Sequence, residues 1–405
     1  MEKEKLISRQ SSVTLNVTAN QIDSYRRTDE TKNTVRVYDG GAVGIAGSLG
    51  RMDEAALTDA AREALSYGIQ YPCSLEDRRE EEHDDAEILS EDKFLPQMQQ
   101  LLDRLTRECP RFAISNKITL SRFSSIYENS RGSLLQASGR SLLLSLIFQN
   151  RGSGNLFDCA YGALLRSYDE DAVAADCRLL HDAFFTPVEL EDGDYPVIYD
   201  PALILGAAVG HFVGEQYASG ASLLSGKLGQ KVFSENLTLG CDRNSCTAPG
   251  ACFFDAEGQV APDHRPSLVD AGVLTHVLTT KGTAAMLGLV PSATSAAGYD
   301  SVPVCDLPTP YVQPTADTLA ELAPGRAVYV YLASGGDMTP DGHYASPVQL
   351  AYLVENGRIV GRLPELNISG EFFRLLGEDY LGAAPNTLLS STASFCMVSR
   401  MKVSR

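Results

Sequence analysis

The pattern of apolar residues changes near residue 190. Before it, strand-like stretches alternate with three long helical patterns, and the last helical pattern runs into Pro187 and the acidic stretch VELEDGDYP. After it, a helix that begins at Asp200-Pro201 is followed by many short apolar runs separated by Gly and Pro. A chain of 405 residues exceeds the usual size of one hydrophobic core. The change of pattern therefore predicts two domains, residues 1–190 and residues 191–405.

Local signals on either side of this change predict an α+β fold. β-branched residues nearly alternate over residues 11–19 and 33–48, with Asp39-Gly40 as a hairpin turn and Asp53 as the cap of a following helix. These features predict an N-terminal α/β domain with an antiparallel sheet and helices. The short runs after residue 190 predict a mainly β domain, sandwich-like or barrel-like, that carries one helix from Asp200 to about Tyr217.

Charge and composition exclude several classes of function. The net charge is −18, with 34 basic against 52 acidic residues, which argues against a nucleic-acid surface. The longest weakly polar segment, residues 202–213, is shorter than the ~20 residues of a membrane span. The charged N-terminus lacks the apolar region of a signal peptide, and the nine cysteines fit free thiols. We therefore expect a cytoplasmic protein with no direct nucleic-acid or membrane partner.

Four segments follow one another in a characteristic order. They are VRVYDGGAVGIAGS, DPALILGAAVGHFVGEQ with the adjoining GASLLSGKLGQKVFSENLTL, FFDAEGQ with VDAGVLTHVLTTKGTAAMLG, and GHYASPVQLAYLVENGRIVGRLPELNISGEFFRLL. A strand-like segment that contains Cys396 ends the series. By their order and spacing, the chain resembles the TldD/PmbA family of cytoplasmic metalloproteases, also called the modulator of DNA gyrase family.

The resemblance implies two-domain subunits that assemble in pairs, with zinc held by a helical HExxxH motif and a Cys near the C-terminus. The corresponding segment here runs from Gly206 to His211, so that Gly206 replaces the first His and Ala207 replaces the Glu. His211 and Cys396 remain as vestigial metal ligands. A catalytic zinc site needs three protein ligands and a base for the attacking water. The chain is thus identified as a PmbA/TldE-like member with a degenerate motif, without catalytic residues or a cofactor of its own.

Other interpretations of these residues stay open. Glu215 follows His211 by four residues, a helical spacing that could let it replace a ligand. A cysteine nucleophile could also pair with His211. The favoured interpretation is a packed histidine, because His211 continues an apolar stripe at helical spacing, and Cys396 fits a small buried hydrophobic residue. The stripe consists of Leu203, Ile204, Ala207, Ala208 and Phe212.

The functional hypothesis is a non-catalytic subunit that holds an extended peptide while a TldD-like partner with an intact HExxxH supplies zinc. A β-rich domain can bind an extended peptide as an added strand at a sheet edge. Main-chain hydrogen bonds then give affinity without requiring one peptide sequence. Two alternatives remain. One is an active metallopeptidase with a rebuilt zinc site, and the other is a homodimeric peptide-binding pseudoenzyme whose partner is a second copy of the chain.

Overall fold

The computed structural model describes residues 1–84, 86–155, 157–392 and 394–405. A long, mostly antiparallel sheet with helices forms the first half of the chain, and a barrel-like sheet dominates the second half. This arrangement confirms the predicted α+β fold class. Within the described ranges, no helix is both long and apolar enough to cross a membrane.

Seven strands form the first sheet. They are β1 (Glu2–Thr18), β2 (Gln21–Asp39), β3 (Ala42–Leu49), β4 (Arg79–Asp84), β5 (Phe112–Asn129), β6 (Leu134–Asn150) and β7 (Cys159–Leu165). Their order is β3-β2-β1-β5-β6-β4, with β7 also on β6, and only the β4–β6 pair is parallel. The first strand begins earlier than the predicted residue 11, because β1 pairs with β2 on one side and β5 on the other almost from its start.

Three helices accompany this sheet, at α1 (Glu54–Ala64), α2 (Glu91–Glu108) and α3 (Glu170–Phe184). Asp53 caps α1 by accepting a hydrogen bond from the Ala56 amide, as its place in the sequence predicts. A 3-10 turn, Leu65–Tyr67, ends this first helical segment at Gly68, whose φ of +65° few other residues tolerate.

The second half contains the remaining elements. The strands are β8 (Gly193–Tyr199), β9 (Leu239–Cys241), β10 (Ser267–Asp270), β11 (Val273–Leu274), β12 (Ser295–Ala296), β13 (Val304–Cys305), β14 (Pro310–Val312), β15 (Arg326–Ala333), β16 (Asp337–Met338), β17 (His343–Glu355), β18 (Arg358–Arg362), β19 (Leu366–Glu371), β20 (Tyr380–Pro385) and β21 (Phe395–Ser404). The helices are α4 (Pro201–Phe212), α5 (Gly214–Ser219), α6 (Lys281–Leu287), α7 (Leu319–Leu322) and α8 (Phe372–Leu375), with a 3-10 turn at Pro262–His264.

Five of these strands close into a ring. The order β15-β8-β21-β19-β17 returns to its start because β15 also pairs with β17. Such closure removes most of the free strand edges that an open sheet would present. Strands β16 and β18 extend the ring along β17, and β20 extends it along β21.

The ring sheet separates two hydrophobic cores. The first core joins one face of the ring to α2, α3 and the first sheet, and includes Leu102, Leu144, Cys177, Ile198 and Tyr352. The second core joins the other face to α4 and α8, and includes Tyr199, Ile204, Val328, Phe372 and Met397. Because the first core contains residues from both sides of residue 190, the two halves share a packed interior. The division at residue 190 stays a prediction.

A buried ion pair connects the first strands to the second half. The Glu4 carboxylate accepts a hydrogen bond from Arg36 Nη1 at 2.7 Å, and two tyrosine hydroxyls, Tyr38 and Tyr127, donate to it at 2.8 Å each. The same Arg36 nitrogen donates to the carbonyl oxygen of Ala256 at 2.8 Å. Arg36 is 1% exposed and Glu4 2% exposed. We call this cluster of Glu4, Arg36 and their partners the buried joint.

Replacement of Arg36 by Met tests the buried joint. The variant leaves the Glu4 charge buried without its cation, and loss of one partner of a buried pair typically costs about 3–5 kcal/mol of unfolding free energy. Guanidinium-chloride unfolding measures the change. As a control, Arg9→Met breaks the exposed Arg9–Asp29 pair and should leave the unfolding midpoint nearly unchanged. Equal effects of the two substitutions would contradict the role of the buried joint.

Candidate functional site

Helix α4 begins where β8 leaves the ring. The Asp200 side chain accepts a hydrogen bond from the Ala202 amide at 2.8 Å, and Pro201 occupies the first helical position. The helix ends at Phe212, because Val213 has extended dihedral angles, φ −68° and ψ 128°. Two backbone hydrogen bonds with Leu278, of the kind found between strands, stabilise this break. The Leu278 amide donates to the Phe212 carbonyl, and the Gly214 amide donates to the Leu278 carbonyl.

This break divides the helix predicted to reach about Tyr217. His211 lies in α4, whereas Glu215 lies in α5, and the extended Val213 stands between them. The four-residue helical spacing of His211 and Glu215 therefore does not place the two side chains on one helix face. The geometry gives no support to Glu215 as a replacement ligand.

His211 is packed and hydrogen-bonded. Its Nδ1 accepts a hydrogen bond from the Leu223 amide at 3.3 Å, and its ring centroid lies 5.9 Å from that of Phe372. Burial lowers the pKa of the imidazole, which favours the neutral ring. A neutral ring that accepts at Nδ1 carries its proton on Nε2. Neither nitrogen of His211 then offers a free lone pair to a metal ion.

Cys396 lies on the opposite side of the ring sheet from α4. Alternate residues of β21 face different cores: Cys396 faces the first core, whereas Met397 faces the second core, against which α4 packs. Burial, reinforced by the charge of Asp200, raises the pKa of the Cys396 thiol well above its ordinary value. Such a thiol is neither a ready metal ligand nor a ready nucleophile. The structure therefore does not bring His211 and Cys396 together.

These residues do not fit a zinc ion. Gly206 has no side chain that could bind a metal ion, and Ala207 has no group that could act as a base. The Nδ1 atom of His211 already accepts a hydrogen bond from the Leu223 amide, and Cys396 faces the first core. Over the residues that the structure describes, no group of three or more His, Cys, Asp or Glu side chains is arranged to hold a metal ion. The described side chains of α4 therefore do not supply the ligand set that a zinc ion needs.

The face of α4 that carries Gly206 and Ala207 is open. Leu203, Gly206 and Ala207 line a groove of about 440 Å³, and a Cβ built on Gly206 meets no atom within 4 Å. The packed face of α4 is instead formed by Ile204, Leu205, Ala208 and Phe212. The predicted apolar stripe thus divides into a packed half and a half that faces the groove.

The opposite wall of the groove is the end of β15, from Val330 to Ala333, with Gly335 and Gly336 beyond it. Strand β15 pairs with β8 only at Val328 and Tyr329, because β8 ends at Tyr199 and the chain turns into α4. Past Tyr329, no strand in the described ranges pairs with that edge of β15. An unpaired edge presents backbone N–H and C=O groups to an incoming strand. The sequence of β15 is one of the short apolar runs after residue 190, and its pattern does not mark it as part of a site.

The segment FFDAEGQ contributes a second polar cluster. Glu257 is fully buried; it accepts hydrogen bonds from the Tyr71 hydroxyl at 2.6 Å and from the Lys281 amide at 2.9 Å. Asp255 accepts bonds from the amides of Glu257 and Gln259, each at 2.9 Å. Burial, together with the charge of Asp255, raises the pKa of Glu257 to about 7. The sequence of this segment contributes to the family resemblance, but its pattern does not indicate that Glu257 is buried.

Family models and curated relatives both match the chain. Residues 192–405 match the model of the PmbA/TldA metallopeptidase C-terminal domain, and residues 6–67 match that of PmbA/TldA metallopeptidase domain 1. A metalloprotease of Methanothermobacter thermautotrophicus is 29% identical over 191 residues, covering 45% of this chain and 41% of that protein. A zinc metalloprotease TldD homolog of Saccharolobus solfataricus is 27% identical over 186 residues, covering 44% of this chain and 41% of that protein. The matched part therefore spans less than half the length of either relative.

A solved structure is similar over the whole chain. The crystal structure of TldE from Thermococcus kodakarensis superposes with a TM-score of 0.79 and covers 100% of this chain and 97% of that one. The sequence identity in this superposition is 15%, so the likeness concerns the fold. Both halves of the described structure, with the first sheet and the ring, therefore belong to a known architecture.

Glu257 should make the stability of the protein depend on pH. Its pKa is about 7 in the folded state against 4.5 ordinarily, so between these values the folded chain keeps a proton that the unfolded chain releases. The stability contributed by the protonated carboxyl is complete below about pH 4.5 and is lost as the pH rises to about 7. Glu257→Gln cannot release a proton, so its unfolding free energy should rise relative to wild type over this range. The exposed Glu63→Gln is the control and should follow wild type.

The purified chain should bind no stoichiometric zinc. The reason is that Gly206 has no side chain and that His211 and Cys396 face different surroundings. Elemental analysis after dialysis against zinc measures the content. A result near one zinc per chain that disappears in His211→Ala would show that a metal site exists at α4 after all.

Proposed function

Because the chain belongs to the PmbA/TldD metallopeptidase family, we propose that it is a non-catalytic, PmbA/TldE-like subunit of a zinc metalloprotease assembly. The observation that carries this proposal is the chemistry of α4. The positions of the first His and the Glu of HExxxH are Gly206 and Ala207, and both line an open groove rather than a metal site. A zinc-dependent hydrolase needs a ligand set and a base at these positions.

The groove supports a role in peptide capture. Its wall at β15 is an unpaired strand edge, to which an extended peptide can add by main-chain hydrogen bonds. Gly206 and Ala207 leave room on the α4 side, where larger side chains would fill the space. A peptide held in this way is unfolded over the bound stretch. The proposed substrate is therefore an unfolded or extended peptide of no single sequence.

The proposed partner is a TldD-like subunit with an intact HExxxH, which supplies the zinc and the base. The curated relatives named as metalloproteases and the TldE fold support this pairing. A second copy of the chain is the alternative partner and would give a peptide-binding dimer without proteolysis. All nine cysteines are free thiols, which is consistent with a reducing cytoplasm.

The decisive experiment measures hydrolysis of an unfolded peptide. The isolated chain should show no turnover with added zinc, whereas its mixture with a TldD-like protein that carries HExxxH should show chelator-sensitive turnover. His211→Ala in this chain should leave the activity of the pair largely intact, because His211 holds no zinc. Chelator-sensitive turnover by the isolated chain, lost in His211→Ala, would instead establish a rebuilt site.

A matched pair of glycine variants tests the groove itself. Gly206→Leu places a side chain in the groove and should weaken peptide binding by at least about tenfold, about 1.4 kcal/mol. Gly210→Leu is the control, since Gly210 is also unobstructed on α4 but does not line the groove. Both variants should fold, because replacement of an interior helix glycine usually stabilises the helix by about 0.5–1 kcal/mol. Equal binding by the two variants would contradict capture in the groove.

A further inference from the structure

A second cavity opens beside the groove. Its volume is about 410 Å³, and its apolar walls include Leu164 of β7, Pro201 of α4, Tyr311 of β14 and Phe395 of β21. Asp200 lines both this cavity and the groove. The two spaces therefore adjoin at the N-terminal cap of α4, and an occupant of either space can contact Asp200.

The charged groups of these walls are all acidic. Among the described residues, Asp200 is the one charged residue that lines the groove, and the cavity adds Asp242. The Asp242 carboxylate is already partnered by the Thr247 hydroxyl at 2.6 Å and by Arg265 at 3.7 Å. No lysine or arginine of the described ranges lines either space, although Arg265 lies 4.3 Å from the ring centroid of Tyr311. The combined site therefore favours a positively charged occupant over a negatively charged one.

One carboxylate oxygen of Asp200 has no hydrogen-bond donor among the described residues. Its Oδ1 accepts the capping hydrogen bond from the Ala202 amide at 2.8 Å, and no residue in the described part of the chain donates to its Oδ2. Asp200 is exposed to solvent, and partial burial of its carboxyl raises the pKa. The carboxylate also offsets the positive end of the α4 dipole, so that a cation can approach the cap.

We infer that the cavity binds a lysine or arginine side chain of a peptide held in the groove, with its cationic end at Asp200. The inference rests on the proposed function. A basic side chain suits the mixed lining, because its methylene stem packs against apolar surface while its charged end pairs with a carboxylate. Here the stem lies along Leu164, Pro201 and Phe395. The preferred substrates are therefore extended peptides with a basic residue at one defined position.

The test places a single lysine at successive positions of an otherwise uncharged peptide. Fluorescent peptides with a blocked N-terminus and a blocked C-terminus carry lysine, or its uncharged analogue norleucine, at each position in turn, and anisotropy gives their Kd for the full chain. Lysine at one position should bind about three- to tenfold more tightly than norleucine there. Asp200→Asn should remove this difference, because asparagine also caps helices but carries no charge. The control Asp53→Asn changes the equivalent cap of α1 and should keep the difference.

Each other outcome overturns the inference in a distinguishable way. If lysine and norleucine peptides bind equally at every position, the basic-residue preference is wrong while the proposed peptide capture stands. If no peptide binds, both fail. If the lysine advantage survives Asp200→Asn, the cation lies elsewhere. If only peptides with a free α-amino group gain affinity, the charge recognised is that of the peptide terminus and not that of a side chain.

Discussion

The burial of the Glu4 charge constrains how the two halves of the chain fit together. A carboxylate removed from water is costly unless donors surround it, and here those donors come from β2 and β5, on either side of β1. Arg36 then also holds the carbonyl of Ala256, in the segment that carries Glu257. One set of hydrogen bonds consequently joins the first sheet to the segment of the second half that carries the polar cluster.

The ring sheet in turn decides what can meet at α4. The two faces of the ring sheet pack against different hydrophobic cores, so the side chains of neighbouring residues in one strand point into different cores. Cys396 and Met397 are adjacent in sequence, yet only Met397 faces the core that contains α4. The same geometry opens the groove, because β8 must leave the ring to become α4 and thereby frees the end of β15. The turn from β8 into α4 thus accounts both for the position of α4 and for the unpaired edge of β15 beside it.

Much of the fold follows from local sequence signals, whereas the site depends on distant contacts. Asp53 and Asp200-Pro201 act as helix caps because capping needs only neighbouring residues, and Asp39-Gly40 forms its hairpin for the same reason. The end of α4 at Val213 was not predictable, since it depends on pairing with Leu278. The sequence singles out Gly206 and Ala207 as positions of interest. It does not reveal that they line a groove beside β15, because the pattern of a strand does not show which edge stays unpaired.

The short unpaired edge of β15 limits how long a bound peptide strand would remain in the groove. From Val330 to Ala333 the edge measures about 10 Å at strand spacing, which allows only a few main-chain hydrogen bonds. A guest strand keeps the same side chains facing α4 only if it shifts by two residues at a time. Brief binding and a fixed two-residue step would let a long polypeptide move through the groove in increments, each with the same face towards α4.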